Sequence, residues 1–204
     1  YRSSRGLGDV YKRQMNNKMK YILGGAIVLI SLATMISCKK GKNNPRSCNG
    51  SSTRRDIKIL TDEEASQIDF QPIDISVEDI GNLDVPEAKK KTVRQDVEKS
   101  VYSITATVHK VSKHRDGDWK IKLTDGNDKY INCESPNMGC EYIKESSFFS
   151  EMQSARSWIE TNIDSLLGKT VTITGVAFID IDHRYPRNAA ENELELHPIL
   201  DIHF

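Results

Sequence analysis

Between residues 102 and 109 the chain alternates: Tyr102, Ile104, Ala106 and Val108 are apolar, while Ser103, Thr105, Thr107 and His109 are polar. A period of two is the signature of a half-buried strand. Residues 114–118, HRDGD, supply turn chemistry, with Gly117 after Asp116. Alternation then resumes, with Trp119, Ile121 and Leu123 on one side and Lys120, Lys122 and Thr124 on the other. A second Asp-Gly turn, Asp125-Gly126, leads into a third short strand over residues 129–134. Strands joined by such turns form an antiparallel meander.

The period changes after the loop that follows. Phe148, Met152, Ala155, Ile159, Ile163 and Leu166 recur at steps of three and four, one face of an amphipathic helix. Ser147 is the expected N-cap and Gly168 the expected stop. Residues 170–181 are β-branched and apolar, with Gly175 marking a bulge or bend. The last strand, residues 193–204, puts Leu194, Leu196, Pro198, Leu200, Ile202 and Phe204 in one parity and Glu193, Glu195, His197, Asp201 and His203 in the other. The order β-β-β-α-β-β predicts a mainly β domain over residues 99–204, a five-stranded OB-fold-like Greek-key barrel with one capping helix. A small open sheet capped by a helix has the same order.

Upstream, residues 57–98 scatter Ile, Leu and Val among acidic residues without sustained period. They read as a partly ordered extension that docks on the barrel, with a short charged helix starting at Pro86. Residues 38–56 hold almost nothing to bury and read as a solvated tether. Before them, Lys18 and Lys20 precede sixteen mostly apolar residues, 21–36, ending at Ser37-Cys38. A charged head, a short apolar run and a small residue before a cut form a secretory signal, and the run is short for a membrane span. Met35-Ile36-Ser37-Cys38 resembles the lipobox of bacterial lipoproteins, although Met35 replaces the usual leucine. The resemblance implies a signal over residues 15–37, lipid on Cys38, and a chain held to the cell envelope, facing the periplasm. Residues 1–14 resemble translated adaptor or read-through sequence ahead of the initiator Met15, outside the protein proper.

Charge and cysteines narrow the setting. Residues 100–204 carry eleven Lys and Arg against sixteen Asp and Glu, a net −5 that the first 99 residues offset. A net-acidic domain argues against nonspecific nucleic-acid binding, which draws its affinity from phosphate contacts. In an oxidising, exported setting Cys133 and Cys140, seven apart, are expected to form a disulfide, with Cys48 unpaired in the tether. A metal reading of that pair lacks a CxxC spacing or a nearby histidine.

Residues 166–183, LLGKTVTITGVAFIDIDH, and 191–202, ENELELHPILDI, resemble an uncharacterised bacterial family of exported OB-fold proteins. The shared features fall on Gly168, Lys169, Val171, Ile173, Gly175, Val176, Phe178 and Asp180, then on Glu195, Leu196, His197 and Pro198. The resemblance runs over about residues 102–202 and implies the fold. Nucleic-acid binding ascribed to such families is fold analogy, and fold does not set function.

Two clusters carry candidate chemistry. Glu195 and His197 lie two apart on one strand face, and His183, Asp180 and Asp182 close the preceding strand, so the five form a candidate polar site. Such a set suits a divalent metal or acid–base chemistry. The plainer reading is structural, with Glu195 paired to Arg184 or Arg187. Tyr130, Lys120 and Lys122 share the outward parity of the second and third strands, the face on which OB barrels bind oligomers. Trp119 shares the core parity. No nucleophile elbow, zincin helix or phosphate loop is present, and no cofactor or resident metal is expected. The favoured reading is a lipid-anchored binding module for an envelope ligand, with glycan, peptide or protein preferred to nucleic acid. The alternatives are a metal-dependent hydrolase or nuclease using His183, Glu195 and His197, and a non-catalytic structural lipoprotein.

Overall fold

The computed structural model describes Cys48, residues 54–181 and residues 189–204. These residues belong to one compact unit, Gly41–Phe204. They form six strands: β1 (Asp69–Asp74), β2 (Ser100–Lys113), β3 (Trp119–Thr124), β4 (Tyr130–Ser135), β5 (Thr170–Ile179) and β6 (Leu194–His203). Three α-helices accompany them: α1 (Arg55–Lys58), α2 (Val77–Gly81) and α3 (Phe149–Asn162).

The order β2-β3-β4-β6-β5 closes on itself through a β2–β5 pairing. Every contact in the ring is antiparallel except β4–β6, which is parallel. The long β2 pairs with β3 at one end and β5 at the other. The helix α3 sits between β4 and β5 in the chain. That is the OB fold, and closure removes the unpaired edges an open sheet would leave.

The barrel interior is filled as the alternation predicts. Ile104, Ile121, Leu123, Ile131, Ile173 and Leu196 are fully buried in one cluster. Trp119 packs against that cluster and donates its indole N–H to Glu160 Oε1 at 3.2 Å. The apolar stripe of α3 buries Met152, Ala155 and Ile159, and Leu166 beyond it is equally enclosed. The helix starts one residue later than expected, with Phe148 in the capping position rather than Ser147. Phe148 is drawn inward instead, stacked on Phe70 with ring centroids 4.1 Å apart.

Gly175 lies where the β5–β6 register shifts on both sides. A Cβ there would sit 2.9 Å from the Pro198 carbonyl oxygen and 3.0 Å from Leu196 Cβ, so the two strands approach closely only because position 175 has none. Gly117 is held at φ 94° in the β2–β3 turn, a region that favours glycine.

Residues 54–98 wrap the barrel. Strand β1 pairs parallel to β2 as a sixth strand. Two arginines fasten the wrap. Arg54 donates to the carbonyls of Thr92, Val93 and Ile179 and to Glu98, whose other oxygen accepts from the Ile179 N–H. Arg94 bonds Asp62, the Ile57 carbonyl and the Glu98 carbonyl. The charged helix expected from Pro86 does not form. Residues 86–95 run in turns and extended chain, and only Asp96–Lys99 makes a short 3-10 turn. Arg94 and Glu98, within the stretch expected to form that helix, are buried in this network.

The disulfide differs from expectation. Cys48 pairs with Cys140, spanning 92 residues, and Cys133 is a buried free thiol. Strand parity is the reason. Cys133 shares the inward side of β4 with Ile131 and faces the barrel core, whereas Cys140 lies in the loop beyond that strand. Burial pushes the Cys133 thiol well above its ordinary range, which keeps it protonated and unreactive.

Candidate functional site

The outer face of β2, β3, β4 and β6 carries the polar chemistry. Two rows run across it. In the first, Lys110 of β2 pairs with Lys122 of β3, which pairs with Asn132 of β4. In the second, Ser112 pairs with Lys120, and Lys120 with Glu134. The Cys133–Leu196 register places Glu134 beside Glu195 and His197 of β6. Lys110 reaches this face because the β2–β3 register slips between Val108 and Lys110. The bulge turns Lys110 outward two residues after Val108 points in, and then returns Val111 to the core side.

The two rows differ in solvent. Lys110, Ser112, His114, Lys120, Lys122 and Asn132 line an open cleft of about 260 Å³. Asn132 is buried at its floor, and its side-chain carbonyl oxygen has no hydrogen-bond partner among the described residues. Lys110 is exposed, and no ion pair to it forms among the described residues. At the far end, Tyr130 packs edge-on to His109 with centroids 4.9 Å apart, and Lys122 Nζ lies 5.9 Å from the tyrosine ring.

The second row is closed over. Helix α1 lays Lys58 across Phe178 and Glu195, with Nζ 4.7 Å from the ring centroid and 3.6 Å from Glu195 Oε1. Beneath it Glu195 and His197 are 2% and 1% exposed. Lys120 reaches Glu134 at 2.5 Å and Glu195 at 4.0 Å, and so marks the boundary between cleft and buried cluster. His197 Nδ1 stands 3.3 Å from Glu134 and 3.5 Å from Glu195. These are ionic contacts rather than aligned hydrogen bonds, since neither ring nitrogen has a partner of good geometry among the described residues.

The charges set one another. Burial and the Lys58 ammonium push the His197 imidazole down, but the Glu134 and Glu195 carboxylates outweigh them and hold it at about 9. Burial pushes Glu134 up, while His197, Lys58 and Lys120 together draw it well below the usual carboxylate range. Asp118, at the mouth of β3, is raised to about 6, chiefly by burial. Lys58 is raised despite its burial, by Glu195 and Glu134.

Asp118, Glu134 and His197 bring one ligand atom each within 4.8 Å of one another. The set has metal-ligand chemistry, but Lys120 already pairs with Glu134 and the imidazole is held cationic. A metal needs a neutral imidazole. The cluster reads as a closed ion network.

Of the expected polar site, Glu195 and His197 come together, and Asp180 lies at the end of β5, its N–H bonded to the Glu193 carbonyl. Asp182 and His183 lie outside the described residues, as does Cys38. Glu195 pairs with Lys58 and Lys120. Tyr130, Lys120 and Lys122 share the expected face, with Lys120 half engaged by Glu134. Lys58, Glu134, Asp118 and Lys110 were absent from the expected site. Parity would have placed Glu134 beside Tyr130, but no sequence pattern signals the docking of Lys58 or the bulge that turns Lys110.

No family model matches the chain, and no curated protein is similar to it. Among solved structures the chain is similar to an Entamoeba histolytica asparaginyl-tRNA synthetase at 13% identity and a TM-score of 0.34. That match covers 50% of this chain and 20% of the synthetase.

Proposed function

We propose that this chain is a lipid-anchored binding module of the bacterial cell envelope that takes its ligand on the outer face of β2, β3 and β4. The carrying observation is the open cleft between Lys110, Lys122 and Asn132, beside the Tyr130 ring. It combines the exposed Lys110 ammonium, the unsatisfied Asn132 carbonyl oxygen and an aromatic ledge on rigid strands, which suits recognition more than chemistry. The lipobox-like Met35-Ile36-Ser37-Cys38 supports the anchor, and the Cys48–Cys140 disulfide supports an oxidising compartment. The resemblance of the ELHP strand to an exported OB-fold family supports the same placement.

The test is a binding screen of the full chain in detergent against envelope glycans, peptides and proteins. Replacing Tyr130, Lys120 and Lys122 together by alanine is expected to abolish binding of whatever is retained. A retained ligand that binds the triple variant as well as the parent excludes this face. For the anchor, Cys38→Ser is expected to abolish fatty-acid labelling and to move the chain out of the membrane fraction.

A second reading, a metal-dependent hydrolase, rests on the Asp118, Glu134 and His197 donors. Elemental analysis of the dialysed full chain separates the two. A stoichiometric metal lost in His197→Gln would put the hydrolase first.

A further inference from the structure

We propose that residues 54–60 are an autoinhibitory strap: they fill a seat on the barrel made for a basic, aliphatic peptide segment of a partner protein, and the Cys48–Cys140 bridge latches them there. The seat is separate from the open cleft, so the inference goes beyond the ligand of β2, β3 and β4.

The strap itself shows what the seat takes. Phe178 of β5 pairs in register with Glu195 of β6 on the outer side of the barrel. Its ring receives two strap cations, with Arg54 Cζ 4.9 Å and Lys58 Nζ 4.7 Å from the centroid. Each cation also meets a buried carboxylate, Arg54 at Glu98 and Lys58 at Glu195. Beyond them the seat is apolar: Ile59 packs with Ile143 and Met152, and Leu60 with Val101 and Val176. A bare seat would put those apolar side chains in water, so the strap is exchanged for another segment rather than simply lifted. The incoming chain must bring cations four residues apart and aliphatic side chains just after them. A basic protein segment does so, whereas a glycan or a nucleic acid does not.

Two observations set this contact apart from permanent core packing. The cover fits its polar floor poorly: neither carboxylate oxygen of Glu195 and neither ring nitrogen of His197 has a hydrogen-bond partner among the described residues. Buried groups left so are rare in a settled interior. The strap is also strained at both ends, with Arg54 at φ 55° and Leu60 at φ 59°, the left-handed region that a Cβ disfavours. Such strain collects at switch segments.

The latch lies six residues before Arg54, where Cys48 is tied to Cys140 across 92 residues of chain. A tied strap competes for its seat at a local concentration that a free segment does not reach. A dithiol reductant opens the latch. Its thiolate attacks the half-buried Cys48 sulfur, and the S–S bond breaks toward Cys140, whose thiolate takes up a proton. The reductant's second thiol then closes its own disulfide and releases Cys48 as a thiol.

The test is fluorescence anisotropy of a labelled peptide, STRRDIKILT (residues 52–61), with the full chain in detergent, and amide exchange of the same samples. The peptide is expected to bind the dithiothreitol-reduced parent and Cys48→Ser at least ~10-fold tighter than the oxidised parent. Lys58→Ala within the peptide is expected to weaken it ~10-fold, the usual scale for one charged contact. Residues 54–60 are expected to exchange faster once the bridge is open, while β4 and β6 keep their protection. Equal binding to the oxidised parent and Cys48→Ser overturns the inference, and so does unchanged protection at 54–60. No binding to a chain whose strap has opened overturns the seat, and a Lys58→Ala peptide that binds undiminished overturns its chemistry. Joint loss of protection in the strap and β6 also overturns the inference, since the segment is then core rather than cover. Binding in the cleft is read separately, by the triple variant, so either reading can fail without the other.

Discussion

Glu134 on β4 and His197 on β6 meet across the parallel strand pair, Oε2 to Nδ1 at 3.3 Å, in a region both sequences of alternation assign to solvent. Each is polar because it faces outward from the barrel, and each is buried because α1 and its Lys58 lie on top. The pair behaves as an ion pair sealed beneath a strap.

Stability is predicted to fall in mild alkali. The folded imidazole of His197, at about 9, lies above its ordinary 6.5. Its contribution is therefore complete below pH 6.5 and disappears as pH rises through 9. A shift of that size corresponds to on the order of 3 kcal/mol. Urea unfolding measured between pH 6 and 10 is expected to show this slope in the parent chain and its loss in His197→Gln. An equal slope in both would remove His197 as its source.

Removing the Glu98 carboxylate strands the Arg54 guanidinium among backbone carbonyls. Both side chains are 1% exposed or less. Breaking such a pair from one side costs about 3–5 kcal/mol. Glu98→Gln should lower the urea midpoint accordingly and make residues 54–60 the first segment to lose amide protection.

The Cys48–Cys140 bridge closes a loop of 92 residues. Chain-entropy loss for a loop of that length is roughly 4–5 kcal/mol. Cys48→Ser is expected to lower Tm markedly, and non-reducing peptide maps should join the peptides of Cys48 and Cys140. Cys133 should alkylate only after denaturation. A map joining Cys133 to Cys140 would contradict the pairing.

Gly175→Ala forces a methyl against the Pro198 carbonyl oxygen and Leu196. Overpacking of this kind costs about 1–3 kcal/mol. The expected sign is destabilisation, read as a lower Tm with unchanged ligand binding, because Gly175 pairs with Tyr102, at the opposite end of β2 from the cleft residue Lys110.

The amino-acid pattern by itself determined the barrel. Period-two runs at 102–108, 119–124 and 194–196, the Asp-Gly turns and the helical stripe from Met152 to Leu166 are local signals, and within those runs each strand buries the side its parity assigns; past Leu196 the β5–β6 register shifts, so Ile199 enters the core and Phe204 stays exposed. It also marked Tyr130, Lys120 and Lys122 as outward-facing and Gly175 as a bend. What the tertiary structure alone decided is which outward residues stay wet. Residues 54–60 carry no periodic signal, yet Ile57, Ile59 and Leu60 are buried when they dock, and their docking encloses Glu195 and His197. The cysteine pairing was likewise settled by which side of β4 faces the core, and the free charge of Lys110 by a one-residue slip in β2. Alternation reports a residue's side of its own strand. Contact between segments distant in the chain depends on three-dimensional packing, and no period in the sequence encodes it.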